Sequence, residues 1–509
     1  MLILRRLFAP LLLTLPLLLT NVSAQTPSTD SGQAAPAPTA EPLTVDDAVQ
    51  RALAKNFAIK VSGFDASIAA AGVTEALGKF DPAINAAYYY SQNHNPLLNF
   101  NTPNVLDAAD KTDTYDVSLN GLMPWGLTYK LGGTSTNYRG TFNAYADNFD
   151  TFAGVSGTQP LLRDFGFGAT LASVRIARTN RQISEQQFRQ SVIDTVTQVK
   201  RAYFDLAFAH AYLRSAIRSR DLAVGLLEEN QKRFKIGSMS EYDVTTASAR
   251  AASREDQLLQ AERQVLDAEN FLKQLITDDR SPALLNQHFT IAVPPPAPVV
   301  VVDPAADFRV ALDHRPDYQQ ARLVLQRTGI DRRLQRNQLL PRLDLVGSYG
   351  YNGLAVTQSA SNSQVQSHDY NSYSWGVVAS VPLTFTTERG RYRAAKLREQ
   401  QSETQLQDLE QNIVVLVGNA AGQIETAQKR IQANRKAREL AQATLDDEVK
   451  RLRAGQGSTF FVAQQQELLA IAEVQEAGAH ADYHKALAEY DRQLGVTLDK
   501  LNIKIDPPR

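Results

Sequence analysis

Arg233-Phe-Lys-Ile-Gly237-Ser-Met-Ser240-Glu-Tyr242-Asp-Val244 and Arg451-Leu-Arg-Ala-Gly455-Gln-Gly-Ser458-Thr-Phe460-Phe-Val462 are one helical-hairpin turn written twice. Arg, Gly, Ser, an aromatic residue and Val recur at a single offset of 218 residues, 451 against 233 and 458 against 240. Each copy sits inside a proline-free stretch, 161 to 281 and 383 to 506, far longer than a globular helix needs. At about 1.5 Å per residue, an arm from Ala169 to Ile236 reaches roughly 100 Å. A rod of that length suits a conduit or a scaffold.

The duplication extends outward from the turns. Ala52-Leu53, Asn56-Phe57 and Asp81-Pro82-Ala83-Ile84 lie 259 residues before Ala311-Leu312, Arg315-Pro316 and Leu340-Pro341-Arg342-Leu343. Gln159-Pro160-Leu161 and Gly168 lie 222 residues before Val381-Pro382-Leu383 and Gly390. The offset falls from 259 to 222, so the first half carries about 37 extra residues in its β region. Each half reads short helix, strands, very long helix, Gly turn, long helix.

The spacing predicts a first repeat over 43–292, with strands about 83–160 and a helical hairpin about 168–277 turning at 237. A Pro-rich linker, 293–304, is expected to be free of helix. The second repeat follows over 305–498, with strands about 342–384 and a hairpin about 390–494 turning at 455, then a C-terminal tail, 499–509.

Along the first arm, Val199, Ala202, Leu206, Ala209, Leu213, Ala216, Arg220, Ala223 and Leu227 follow spacings of three and four. Leu406, Leu409, Ile413, Leu416, Ala420, Ile424, Ala427 and Ile431 do the same on the second. These are seams for helix-on-helix packing. The other faces are charged and polar, so each rod needs neighbours along its length.

The strands speak against a merely soluble coiled coil. Leu343, Leu345, Gly347, Tyr349 and Tyr351 alternate with Asp344, Val346, Ser348 and Gly350. Trp375, Val377, Ala379, Val381 and Leu383 alternate with Ser374, Gly376, Val378 and Ser380. Runs of this length suit tilted transmembrane strands, one face for lipid and one for water, and tyrosines cluster at their ends. Four strands, or six counting Tyr115 to Tyr138 with its Met123-Pro-Trp-Gly turn, cannot close a barrel in one chain. Open edges are not tolerated in lipid, so the barrel must be shared between identical chains.

At the N-terminus, Arg5 and Arg6 precede an apolar run from Leu7 to Leu19 and then Val22-Ser23-Ala24. This pattern predicts a secretory signal peptide, residues 1–24, cleaved after Ala24. Residues 25–42, rich in Ser, Thr, Ala, Pro and Gln, read as a disordered leader. Removing Arg5 and Arg6 leaves 51 basic against 54 acidic residues, a formal charge of −3, which argues against a nucleic-acid partner. With no cysteine, the chain must hold itself by packing or assembly.

Leu43-Thr-Val-Asp-Asp-Ala48-Val-Gln-Arg-Ala52-Leu-Ala-Lys-Asn56, Gln159-Pro-Leu-Leu-Arg-Asp-Phe-Gly166, Ala202-Tyr203-Phe204-Asp205-Leu206 and the two turns together resemble the TolC-like outer-membrane efflux protein family, from about Leu43 to Leu498. The resemblance implies a mainly α homotrimer with a membrane β region. Its three chains share a β-barrel in outer-membrane lipid that continues as a periplasmic α-helical barrel. It further implies export of substrates from an inner-membrane transporter through a periplasmic adaptor, with no covalent chemistry and no cofactor.

By position, Gly237, Ser238, Met239 and Ser240, with Gly455, Gln456, Gly457 and Ser458, resemble the family's adaptor-contacting tip loops. Relatives that gate with acidic rings place carboxylates six and nine residues after the second-turn Gly. Here those positions hold Phe461 and Gln464, and only Asp243 offers an acid in the first turn. An apolar or amide constriction from Phe461 and Gln464 is expected in place of an acidic one.

His480 and His484 stand one helical turn apart, but Ala481 follows the first where a zinc protease has Glu, and no third ligand is evident. Gly166-Phe-Gly168-Ala-Thr-Leu171 lacks the third glycine of a dinucleotide loop. No metal, cofactor or catalytic residue is expected. The rival reading is a periplasmic coiled-coil adaptor or scaffold without a pore.

Overall fold

Long runs of Ala, Gln, Arg, Glu and Leu without proline favour helix, and two helical hairpins are what this chain forms with them. A computed structural model describes residues 42–98, 105–292, 299–454 and 456–505. The expected signal peptide, all of the expected leader but Pro42, residues 293–298 of the linker, Gly455 and residues 506–509 lie outside the described residues.

The first half runs α1 (Val45–Lys55), α2 (Phe57–Gly78), β1 (Ala83–Leu98), β2 (Val105–Leu122), β3 (Thr128–Gly140), β4 (Phe149–Pro160), a one-turn α3 (Gly166–Thr170), α4 (Ala172–Lys235) and α5 (Glu241–Ile276). The second runs α6 (Pro304–His314), α7 (Pro316–Asn337), β5 (Arg342–Ala355), α8 (Gln358–Ser367), β6 (Asn371–Ser380), α9 (Thr386–Arg453), α10 (Thr459–Leu494) and α11 (Thr497–Lys500). With 64 and 68 residues, α4 and α9 are each about 100 Å long.

Three expectations are corrected. The linker's last residue, Pro304, opens α6: its missing N–H costs nothing at a first helical position, and Asp303 caps the helix through Ala305 N at 3.1 Å. Val381 and Leu383 fall outside β6, because Pro382 has no N–H to continue the ladder. In the α9 seam, Val417 is buried and Leu416 exposed. Ile413, Val417, Ala420, Ile424 and Ala427 form a tighter four-three stripe, and Leu416 lies at its edge. The C-terminal tail also docks: Leu501, Ile503 and Ile505 pack against the first core.

That core joins Val192, Val196, Val199, Tyr203 and Leu206 of α4 to Leu272 and Ile276 of α5 and to Val49 and Ala52 of α1. The Tyr203 hydroxyl bonds the carbonyls of Leu43 (3.0 Å) and Ala292 (3.1 Å), beside the parallel bridge between Leu43 and Ile291. Burial pushes the Tyr203 phenol up to about 12, so it stays a donor there. The second core joins Ile413, Val417 and Ile424 of α9 to Tyr483, Tyr490 and Leu494 of α10 and Ala311 of α6.

One tertiary bond is duplicated with the sequence. Asn56, at the α1–α2 junction, donates from Nδ2 to Leu275 O at 2.9 Å. Arg315, 259 residues later at the α6–α7 junction, donates from Nη1 to Gln493 O at 3.0 Å, and Gln493 stands 218 residues after Leu275. In both halves the short-helix corner is tied to the end of the returning rod.

The strands form one antiparallel sheet in sequence order, β1-β2-β3-β4-β5-β6. The segment that raised the possible count to six is the β2–β3 hairpin. Its turn closes through Met123 N to Leu127 O (2.7 Å) and Gly126 N to Met123 O (2.9 Å), with Gly126 at φ +103°.

Candidate functional site

Register decides what each face of the sheet can touch. Ile84 pairs with Leu119, Leu119 with Leu131, Leu131 with Val155, Val155 with Tyr349, and Tyr349 with Tyr373. These six residues share one face because directly opposed side chains point the same way. The same face carries Val117, Tyr129, Leu345, Trp375 and Val377, and nearly all of these apolar side chains are exposed. Tyr88 and Tyr115 border the band, with ring centroids 5.0 Å apart.

The opposite face is polar. Its rows read Asn120, Lys130, Ser156, Ser348 and Ser374, and Asp116, Thr134, Phe152 and Asn352. Lys130 Nζ meets Asp116 Oδ2 at 2.8 Å, and Thr134 Oγ1 donates to the same oxygen at 2.9 Å. The Phe152 ring lies against Gly154 and Gly350, where a Cβ would strike it, so the aromatic covers bare backbone. One face is therefore shaped for hydrocarbon and the other for water.

The tip turns share one hydrogen-bond design. Ser238 N bonds Arg233 O at 2.9 Å, Gly237 N bonds Phe234 O at 2.9 Å, and Gly237 sits at φ +76°. This is a Schellman ending. In the second copy, Gln456 N bonds Arg451 O at 2.9 Å, the equivalent six-residue closure. Ser240 caps α5 by accepting from Asp243 N, and Ser458 caps α10 by accepting from Phe460 N at 3.2 Å. Ser238 is exposed and Met239 half-buried; at Gly457 a Cβ would come within 2.8 Å of Leu452 N.

The three expected aperture residues are not equivalent. Asp243 is engaged in a capping box, with Ser240 Oγ donating to its Oδ2 at 2.5 Å. Phe461 and Gln464 are exposed together on one face of α10, and Phe461 sets its ring edge-on to Phe460 at 5.6 Å. They turn away from a cavity of about 520 Å³ between the two hairpins, which Leu222, Leu226, Ala247, Leu452, Leu469 and Ala470 help to line.

Around that cavity, sequence reasoning missed a set of ties. Arg218 Nη1 meets Glu473 Oε2 at 3.2 Å, Arg254 pairs with Glu467, and Arg250 lies 4.7 Å over the Phe460 ring. Each joins one hairpin to the other across more than two hundred residues of sequence, so no local pattern signals it. The two histidines of α10 are not brought into a metal site: the His484 ring stacks on Phe204 at 4.2 Å, and no metal-holding group of side chains occurs among the described residues.

A sheet greasy on one side and wet on the other, carried by two hairpins whose longer rods are each about 100 Å long, has the form of a membrane duct wall. A family model described as outer membrane efflux protein matches residues 48–277 and 308–496. The chain belongs to that family, one of outer-membrane efflux channels and not of enzymes.

Over 346 residues it is 22% identical to the outer membrane efflux protein BepC of Brucella suis, covering 66% of this chain and 71% of that one. The outer membrane channel CmeC of Campylobacter jejuni shares its fold with a TM-score of 0.67, 15% identity, and 89% and 85% of the two chains covered. So do the outer membrane protein VceC of Vibrio cholerae (0.63, 16%, 89% and 96%) and the open state of the MtrE channel of Neisseria gonorrhoeae (0.60, 17%, 89% and 88%).

Proposed function

We propose that three copies of this chain, exported by a cleaved signal peptide, form an exit duct from the periplasm through the bacterial outer membrane. The apolar row that crosses all six strands carries this reading, because it leaves a lipid-facing band whose two edge strands still need partners. Uncovered apolar side chains on the rods, such as Leu468 and Ile471 of α10, likewise call for neighbouring helices. A scaffold without a pore would have no use for the band.

In this reading the duct is passive, and an inner-membrane transporter supplies cargo through a periplasmic adaptor. The adaptor meets the tips at Gly237, Ser238, Met239 and Ser240 and at Gly455, Gln456, Gly457 and Ser458. Engagement separates the hairpins, which requires the Arg218–Glu473 and Arg254–Glu467 pairs to part. Fractionation is the direct test: recovery from outer membranes as a trimer that conducts ions in a planar bilayer is expected, and recovery as a soluble periplasmic monomer would support the scaffold.

Phe461 and Gln464 of the three copies narrow the resting tip, while Asp243 serves its helix cap. Phe461→Ala is expected to raise the single-channel conductance of the adaptor-free trimer severalfold. An unchanged conductance would assign Phe461 to a helix seam between copies instead.

A further inference from the structure

The internal duplication identifies which strands of the sheet were added. By the 259-residue offset β1 corresponds to β5, both led by a Pro, and by the 222-residue offset β4 corresponds to β6, both followed by the equivalent of Pro160-Leu161 or Pro382-Leu383. The shared plan thus supplies two strands per half. The surplus of about 37 residues coincides with β2 and β3, which span 105 to 140. That hairpin is no appendage. β2 pairs with β1 along sixteen residue pairs, β3 pairs with β4, and Val117 and Leu131 extend the apolar face across it.

The same duplication gives the register of the missing seam. Within the chain the halves meet where β4 pairs with β5, and Thr158 stands opposite Val346. The residue 222 after Thr158 is Ser380 in β6, and the residue 259 before Val346 is Ala87 in β1. Placing Ser380 opposite Ala87 brings Ala379 opposite Tyr88 and Val377 opposite Tyr90. Apolar side chains then stay on the lipid face, and all ten residues of β6 fall opposite 87–96.

We infer that β6 of one copy pairs antiparallel with β1 of the next in this register, and that three copies close an 18-stranded barrel, six strands from each. This rests on the duct reading above. At about 4.8 Å between strands and a tilt near 40°, eighteen strands give a wall about 36 Å across, against about 24 Å for the twelve of the plain duplicated plan. The inserted hairpin widens the outer pore while the rods remain two hairpins per copy. The narrowest passage, and with it selection by size, lies in the helical part.

The chain's lack of cysteine makes the test clean. Oxidation of the Tyr88→Cys/Ala379→Cys double variant in outer membranes is expected to give a covalent trimer as the main product, with monomer from either single variant. Outer-membrane trimers without that product would overturn the seam while leaving the duct intact; a soluble monomer would overturn the duct itself. Ala87→Cys/Ser380→Cys serves in the same way if the first pair does not accumulate. For the hairpin, Lys130→Cys, exposed on the polar face, is expected to react with a membrane-impermeant maleimide, and Val117→Cys to be protected from it. Labelling of Val117→Cys from water would place the hairpin outside the barrel wall and reduce the strand count.

Discussion

Val155→Arg is expected to remove the protein from outer-membrane trimers almost entirely, whereas Ser156→Arg, one residue on, assembles at near-normal levels. Val155 lies in the row from Ile84 to Tyr373, with the side chain exposed on the apolar face. An arginine facing lipid near the middle of a bilayer costs about 2–4 kcal/mol. Three copies assemble together, so the penalty is felt three times, roughly 6–12 kcal/mol for the assembly, comparable with the whole stability of an ordinary domain. Ser156 points the other way, beside Lys130 and Ser348, into a face already polar. An arginine there meets water and adds charge to the pore, so a changed ion selectivity is the expected signature. The measurement is heat-resistant trimer in outer-membrane fractions. Equal yields of the two variants would mean that the exposed apolar face does not meet lipid.

What the sequence disclosed and what it concealed follow from how far apart the determining residues stand. The duplicated turns, the seam along α4 and the alternation in β5 and β6 depend on spacings of two, three and four, so each can be read locally. The strand count could not be read that way. Val117 and Leu131 lie among Asp116, Ser118, Lys130 and Gly132, and their apolar neighbours Ile84 and Val155 are supplied by other strands. The slip from Val417 to Leu416 arose because both lie near one helical stripe, and only the packed partner α10 chooses between them. The two hairpin turns were identifiable from Gly and Ser. That Asp243 closes a capping box depended on whether Ser240 turned toward it, and the Ser-x-x-Asp spacing allows both that and a free carboxylate. The Arg254–Glu467 tie joins different hairpins and has no local trace at all.

Gly495→Ala is expected to cost far more than Gly237→Ala, although both glycines follow the end of a long helix at nearly the same backbone angle, φ +74° and +76°. An L-residue in the left-handed region costs about 1–2 kcal/mol, and Gly237→Ala should cost little beyond that, because nothing lies within 4 Å of where its Cβ would be. At Gly495 the added carbon would stand 2.8 Å from Arg315 N, His314 C and His314 O. All three are backbone atoms, so no rotamer change can relieve the contact. Either the end of α10 or the α6–α7 corner must move, and movement of either strains the bond from Arg315 to Gln493 O that ties them together. Overpacking of that kind costs typically 1–3 kcal/mol, for a total of about 2–5 kcal/mol per copy. In detergent, the Gly495→Ala trimer should dissociate at a clearly lower temperature than Gly237→Ala, whose defect should show instead in adaptor capture. If the two dissociate together, the close approach at the corner is not what holds the returning rod, and the Arg315 bond to Gln493 O does not anchor the second half.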